Sequence, residues 1–417
     1  GSGHGRDAAM ALPPGSEALG RRVWPAGPQA AHHNGRGHPA AAGLTPGRLG
    51  PVPLPRLLAY LWRTAGRLWR KAVDNHQGRP YTWQLGFLPA GDPGAPDLAQ
   101  VRPAGAPGKR FQADPVLVMP EEPGARPLVF IEEWSPRRRR GHISVLEVET
   151  GAEGEAATGV AAAGAPVGGQ APAGADAGAA PAAGGAWLLK PGQAVRLRHL
   201  GKVIQTAHHL SFPFHFRWRG EHYLCPEASA SGRITVWRAR HFPLAWEPVA
   251  TLMDNVLAVD TMLFEAHGRW WMLTNLDRTA GTLVAATRDF HSELHLFHAD
   301  NPLSSDWTPH PMNPVRIDSY GGRNAGLVVT DEGIFRYGQM QAFDCYGHGI
   351  AVYRITELST TRYAEMLVRV LSPGMLKGVT GLHGLHTFGQ AGGLAVVDLL
   401  HRGGLRDINK KKGGVPA

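Results

Sequence analysis

Four acidic residues are placed where chemistry can be done. Asp114 lies in Gln112-Ala113-Asp114-Pro115, Glu132 ends the run Leu128-Val129-Phe130-Ile131, Glu227 follows Leu224-Cys225-Pro226, and Asp260 follows Val259. Each interrupts or ends an apolar stretch, so each carboxyl must face solvent, a channel or a partner. The same placement recurs at Asn275, Asp277 and Gln339. Other polar groups stand at the entrances of apolar runs: His208 and His209, Arg323 and Asn324, His383 and His386. Carboxyl groups crowded into one cavity have their pKa values pushed apart, which separates a base from an acid. Cleavage of a glycosidic bond needs that pair. Arg323 can hold a carboxylate ionised or bind an anion, and the histidines and Gln339 can donate to sugar hydroxyls. Trp134, Trp270, Trp271, Phe212 and Tyr337 are candidate platforms for sugar faces, set against the ordinary use of aromatics as core. Plainer roles stand beside these: Asp114 before Pro115 can cap a turn, Asp260 can cap a strand, and Glu132 can pair at the surface, with Glu133 expected to be the more exposed of the two. His209, His383 and His386 are too dispersed for a zinc pattern, so neither metal nor cofactor is expected.

The elements that must position these residues are short strands. Tyr81–Leu88 reads as one. Val116–Met119, Leu128–Glu132 and Ile143–Val148 make three antiparallel strands within about forty residues. Further strands are expected at 203–204, 214–216, 222–225, 234–238, 261–264, 270–273, 283–286, 294–297, 325–329, 334–338, 349–355, 385–388 and 394–398. They group into five units beginning near Ala113, His209, Asp260, Asn324 and His383. Each unit has a polar entrance followed by strand, turn and strand. That repetition predicts an all-β fold, a five-bladed β-propeller. A β-sandwich accounts for the strands but not for the regular return of polar residues before each unit.

The rest of the chain is of a different kind. Of the 417 residues, 54 are Gly and 34 Pro and only 18% are charged, which excludes coiled coils and helical bundles. The formal charge of +9 is concentrated in residues 1–80, where ten Arg and one Lys face three acids. The remainder is nearly neutral, so nucleic acid is not an expected partner. Residues 1–50 are expected to be a disordered tail, 51–79 to hold a basic amphipathic helix, 80–405 to form the propeller and 406–417 to be a basic tail. Residues 151–187, of which 29 of 37 are Gly, Ala or Pro, are expected as a disordered insertion. In the helix, Leu54, Leu57, Leu58, Leu61, Ala65 and Leu68 recur at helical spacing among Arg56, Arg63, Arg67, Arg70 and Lys71. Such a helix fits an anionic membrane surface, as a peripheral contact through 54–73, or it packs on the main domain or on another domain of a longer protein. No long apolar run follows a basic start, so no signal peptide or membrane span is expected. Cys225 and Cys345 are expected as free thiols in a reducing, cytoplasmic setting, with a single disulfide as the alternative. Oligomeric state is not readable.

Taken together, Ala113-Asp114-Pro115, Phe130-Ile131-Glu132, His209-Leu210-Ser211-Phe212-Pro213, Pro226-Glu227, Val259-Asp260-Thr261, Gly322-Arg323-Asn324-Ala325-Gly326 and Tyr337-Gly338-Gln339 resemble the N-terminal domain of glucosamine inositolphosphorylceramide transferases and their bacterial relatives. That domain is similar to the five-bladed propeller glycoside hydrolases of the arabinanase and invertase clans. The resemblance implies Asp114 as base or nucleophile, Glu227 as general acid and Asp260 as the residue tuning the acid. Glu132, His209, Arg323, Asn324, Gln339 and His386 are then substrate-binding candidates, and the partner is a carbohydrate or glycolipid headgroup. The order of Glu227 and Asp260 along the chain departs from the usual enzyme pattern. No glycosyltransferase domain or phosphate-loop motif accompanies the motifs. A non-catalytic glycan-binding propeller that assists a partner enzyme is the alternative.

Overall fold

The computed structural model describes residues 53–76, 81–104, 111–122, 124–135, 137–151, 189, 193–277, 292–342 and 345–402. The expected tails at 1–50 and 406–417, almost all of the 151–187 insertion and the strand expected at 283–286 lie outside the described residues.

Five antiparallel sheets account for nearly all of the regular structure. Blade 1 is Gln112–Val118, Leu128–Ser135, Arg140–Gly151 and Ala194–Ile204. Blade 2 is Ser211–Trp218, Glu221–Glu227, Arg233–His241 and Ala245–Asp254. Blade 3 is Ala258–Ala266, Arg269–Leu276 and Glu293–Ala299, edged by the short pieces Thr308–Pro309 and Arg316–Ile317. Blade 4 is Arg323–Thr330, Gly333–Ala342, Cys345–Leu358 and Tyr363–Leu371. Blade 5 is built from both ends of the domain. Leu382–Gly384 and Phe388–Ala391 pair one after the other along one edge of Leu394–Arg402, whose other edge pairs with Tyr81–Pro89, and Arg102–Pro103 adds an outer edge. Nine residue pairs, from Tyr81↔Arg402 to Pro89↔Leu394, make that closure.

The first strands touch one another in a closed ring. Gln112–Val118 contacts Ser211–Trp218, which contacts Ala258–Ala266, then Arg323–Thr330, then Phe388–Ala391, which returns to Gln112–Val118. A ring of five inner strands with a sheet radiating from each is a five-bladed β-propeller, as the spacing of the five units predicts. A sandwich has no such ring.

Burial explains which strands are legible. Second strands are covered on both faces and read as unbroken apolar runs: Leu128 to Ile131 and Trp270 to Leu273 are all buried. Fourth strands lie at the rim. Ala245–Asp254 is mostly exposed or half-buried and carries Glu247, Pro248 and Thr251. It is absent from the expected strands for that reason; Tyr363–Leu371, also a rim strand, is absent although it carries the apolar residues Met366, Leu367, Val368, Val370 and Leu371. The core lies between blades, as where Phe216, Tyr223 and Cys225 of blade 2 pack against Trp270 and Met272 of blade 3. Cys225 is a free, buried thiol whose pKa burial pushes up to about 12, so it acts as a small apolar residue. The helix Leu54–His76 is described by itself below; no described helix is long and apolar enough to cross a membrane.

Candidate active site

One local device is repeated around the ring. In each blade a polar residue near one end of the second strand stands opposite the entrance of the first. Ala113 faces Glu132, Ser211 faces Glu227, Val259 faces Asn275 and Arg323 faces Gln339. In blade 5 the Asp398 N–H donates to the Thr387 carbonyl at 3.4 Å. In blades 1 to 4 the first strand then bulges, and the bulge holds a residue at positive φ: Asp114 at 51°, Phe212 at 39°, Asp260 at 50° and Gly326 at 140°. A bulge re-aims a side chain that the pleat would otherwise send along the sheet. Asp tolerates left-handed backbone better than most residues; Phe does not, and Phe212 stays there because its surroundings over-determine it. Gly326 has no alternative, since a Cβ there would lie 2.0 Å from the Phe388 carbonyl oxygen.

The bulges and strand ends gather two charge clusters. In the first, Asp114 spans three blades. Its Oδ2 accepts the Phe212 N–H at 3.2 Å, and its Oδ1 accepts the Thr387 hydroxyl at 2.9 Å and lies 3.2 Å from His386 Nε2. His386 Nδ1 is 2.5 Å from Asp398 Oδ2. Asp398 also accepts the N–H groups of His386, Thr387 and Asp114. Burial alone would push the His386 pKa down; Asp398 and Asp114 outweigh it and raise it. Burial raises the Asp114 pKa, opposed chiefly by His386. Each oxygen of the Asp114 carboxylate accepts one hydrogen bond, and Oδ1 also faces His386, which leaves Oδ2 able to accept another.

In the second cluster Arg323 reaches two carboxyls. Its Nε donates to Asp260 Oδ2, and its Nη2 lies 3.6 Å from Glu227 Oε2. Glu227 Oε2 is buried and accepts no hydrogen bond. Burial, then the charge of Asp260, raise the Glu227 pKa well above the carboxylate range, against the pull of Arg323. Glu132 lies between the clusters. Burial, then the charges of Asp114 and Glu227, hold its pKa well up too. Its Oε1 is 3.5 Å from His209 Nε2. The Gly141 N–H donates to His209 Nδ1 at 2.7 Å, so in the neutral ring the proton sits on Nε2, facing Glu132. Burial lowers the His209 pKa, in keeping with that neutral form. Gly141 is required for this approach: a Cβ there would stand 2.8 Å from both Glu132 Oε1 and His209 Cε1.

Five buried or nearly buried carboxyls therefore share two cations, Arg323 and His386. Burial and mutual repulsion disfavour ionising all five, and Glu132 and Glu227 are the two whose pKa stands furthest up. Such crowding favours a protonated acid beside an anion, the complement acid–base chemistry uses. A cavity of about 160 Å³ is lined by residues in and beside the first strands, among them Pro115, Leu117, Phe212, Phe214, Thr387 and Phe388; none of the clustered acids, nor Arg323 or His386, lines it. Trp134 and Tyr346, 37% and 43% exposed, border the clusters: Trp134 tilts over His209, and Tyr346 stands edge-on to His386 and beneath Arg323.

Asp114, Glu132, Glu227, Asp260, His209, Arg323 and His386 thus come together, as their spacing suggests. Asn324 and Gln339 come close but face inward. The Asn324 amide donates to the carbonyls of Asp260 and Leu273, and that of Gln339 to the Asn324 carbonyl and, at 3.4 Å, to Asp260 Oδ2. Both are fully buried posts of the scaffold. Of the aromatic platforms, Trp270, Trp271, Phe212 and Tyr337 are core; Trp134 is partly open. Glu133 is buried rather than exposed. Burial works to raise its pKa, but hydrogen bonding to His142, His199 and Ser144 overcomes this and brings it below the carboxylate range. Asp398, Thr387, Tyr346 and Gly141 were missed. Asp398 had a signal: it ends the apolar run Leu394–Val397 as Glu132 ends its own.

Comparison with known proteins bears on these residues unevenly. Residues 190–389 match the family model described as glucosamine inositolphosphorylceramide transferase 1, N-terminal. The rice (Oryza sativa subsp. japonica) glucosamine inositolphosphorylceramide transferase 1 is 31% identical over 199 residues, 46% of this chain and 25% of that protein. The Arabidopsis thaliana protein of the same name is 32% identical over 192 residues, 45% of this chain and 24% of the relative. The chain spans about a quarter of the length of the relatives it matches. Among solved structures, a family 117 glycoside hydrolase of Zobellia galactanivorans aligns over 76% of this chain and 90% of its own, at 11% identity and a TM-score of 0.41. A Bombyx mori GH32 β-fructofuranosidase aligns over 64% and 52%, at 10% identity and a TM-score of 0.40. The fold rests on the ring of sheets above and not on these alignments. The matched segment holds Glu227, Asp260, Arg323 and His386 but not Asp114 or Glu132, and over 190–389 the chain resembles the N-terminal region of the glucosamine inositolphosphorylceramide transferases.

Proposed function

We propose that the propeller acts on a carbohydrate, the headgroup of a glycolipid or a related glycan, as a glycoside hydrolase or transglycosidase with Glu227 as proton donor and Asp114 as the anion that orients the attacking group. The observation that carries this is the setting of Glu227: a nearly buried carboxyl whose Oε2 has no hydrogen-bond partner, with Arg323 and Asp260 beside it, where burial and the Asp260 charge raise its pKa. A neutral acid with an unused oxygen is poised to give its proton to a leaving-group oxygen. Asp114 complements it. Two hydrogen bonds and the neighbouring His386 fix its orientation, and Oδ2, which accepts one N–H, has room to accept a water. If water attacks there directly, the anomeric configuration inverts. Asp260 and Arg323 set the charge beside the acid. Trp134 and Tyr346 offer ring faces for sugar at the rim. The names of the relatives point to the same substrate class, a sugar joined to a sphingolipid headgroup.

A second reading is favoured by one feature. Asp114, His386 and Asp398 also tie blades 5, 1 and 2 together, work that a non-catalytic glycan-binding propeller assisting a partner enzyme would equally need. One experiment separates the two. Wild type, Asp114→Asn and Glu227→Gln are assayed on a panel of glycans and aryl glycosides, with glycan binding measured in parallel. Catalysis predicts that Glu227→Gln loses turnover of poor leaving groups far more than of activated aryl glycosides. Glycan binding that all three proteins share, with no turnover by any, would leave the binding reading in place.

A further inference from the structure

The helix Leu54–His76 is 23 residues long, and its residues divide cleanly by angle. At about 100° per residue, positions 54, 57, 58, 61, 65, 68 and 72 centre on one line, and Trp62 and Trp69 stand together at one margin of that stripe. Arg56, Arg63, Arg67, Arg70 and Lys71 fall on the opposite side, with one acid, Asp74, among them. Leu54, Leu58, Leu61 and Leu68 are each at least half exposed, and Trp62 and Trp69 are 81% and 69% exposed. A helix in water does not keep such a stripe uncovered without a partner.

We infer that this helix lies flat on an anionic lipid surface, leucines toward the acyl boundary and arginines among the headgroups. Three features select lipid over a protein groove. Five basic residues against one acid crowd a helix whose other side is an apolar stripe, so a surface that offers both apolar depth and negative charge fits it better than an apolar groove alone, and long Arg and Lys side chains can reach back to a headgroup layer. Paired tryptophans at the apolar margin suit the depth at which headgroup meets chain. The run is also too polar to cross: Arg and Lys recur through its whole length, and it falls short of a membrane span. Apolar burial and headgroup attraction then act together, as in interfacial helices.

The test uses the full chain and sedimentation with two kinds of vesicle, phosphatidylcholine alone and phosphatidylcholine with about 30% phosphatidylserine. Binding to the anionic vesicles at least tenfold tighter than to the neutral ones, weakening as salt rises, is expected. The variant Leu61→Glu with Leu68→Glu should lose binding by more than tenfold. Arg56→Gln with Arg63→Gln should lose about tenfold on anionic vesicles and little on neutral ones. Both should keep the propeller's thermal transition, because the altered side chains are exposed. Equal binding to both vesicles, no binding to either, or binding unchanged by both variants would overturn the inference. So would a dimer in wild type that the leucine variant converts to monomer without any vesicle present, since the stripe would then be covered by a second copy.

Discussion

The two charge clusters differ in how much of each is already engaged. In Asp114–His386–Asp398 the carboxylates are largely engaged: Asp398 takes three backbone N–H groups, and Asp114 takes an N–H and a hydroxyl, while His386 lies as an ion-pair partner beside both, its Nδ1 making no aligned hydrogen bond. In Glu227–Asp260–Arg323 the cation is held and one acid oxygen is not. Both are buried and rich in carboxyls. The first holds the ring closed between its last blade and its first. The second keeps a proton in reserve. Buried charge that is fully paired reads as scaffold, and a buried acid with an unpaired oxygen reads as a reagent.

The largest effect should come from breaking the engaged cluster. Asp398→Asn removes the charge facing His386 and one acceptor at the blade 5–blade 1 seam. We expect a loss of about 3–5 kcal/mol in stability by urea unfolding. On a substrate that wild type turns over, Glu227→Gln should do the reverse. It should cut turnover by about 10²–10⁴-fold without lowering stability at neutral pH, because Gln needs no proton uptake on folding whereas a Glu with a raised folded pKa does. A comparable stability loss in both variants would erase the contrast.

The pH dependence sharpens it further. His386 has a raised pKa, so its contribution to stability is complete below the ordinary imidazole value of 6.5 and is lost as pH rises through the folded value. Melting temperature should therefore decline on the alkaline side, and His386→Gln should flatten that limb. Glu227 and Glu132 carry the same sign from lower pH, starting near the ordinary carboxyl value of 4.5. Glu227→Gln should remove part of that slope. The smallest effect belongs to the rim. Trp134→Ala should change stability by less than about 1 kcal/mol and weaken sugar binding by several-fold, read by titration calorimetry.

The fold was legible because its signals are repeated. Five strand units each open on a polar entrance, four of their second strands carry a polar residue after an apolar run, at Glu132, Glu227, Asn275 and Gln339, and no sandwich explains that recurrence. The rim strand Ala245–Asp254 was not legible, since Glu247, Pro248 and Thr251 break its apolar pattern; Tyr363–Leu371 did carry a signal, Met366-Leu367-Val368 with Val370 and Leu371, although most of these side chains face solvent. At the site, residue type and position at a strand end identified Glu132, Glu227 and Asp260, but not the direction a side chain takes. Asn324 and Gln339 occupy ring positions equivalent to the acids yet turn inward to backbone carbonyls. Glu133, one residue from Glu132, emerges on the other face of the same strand and meets two histidines from neighbouring strands. Gly141 carries no chemistry in the sequence; only the close approach of Glu132 and His209 reveals why it has no side chain.

The account rests on the protonation state of Glu227 at neutral pH. Infrared difference spectroscopy between wild type and Glu227→Gln, at pH 7 and after transfer to deuterium oxide, reads it directly. The account predicts that wild type shows a protonated-carboxyl C=O band, shifted by deuteration, that the variant lacks. A difference spectrum showing only the symmetric and antisymmetric carboxylate bands would mean that Glu227 is ionised, and it would contradict the proton-donor assignment.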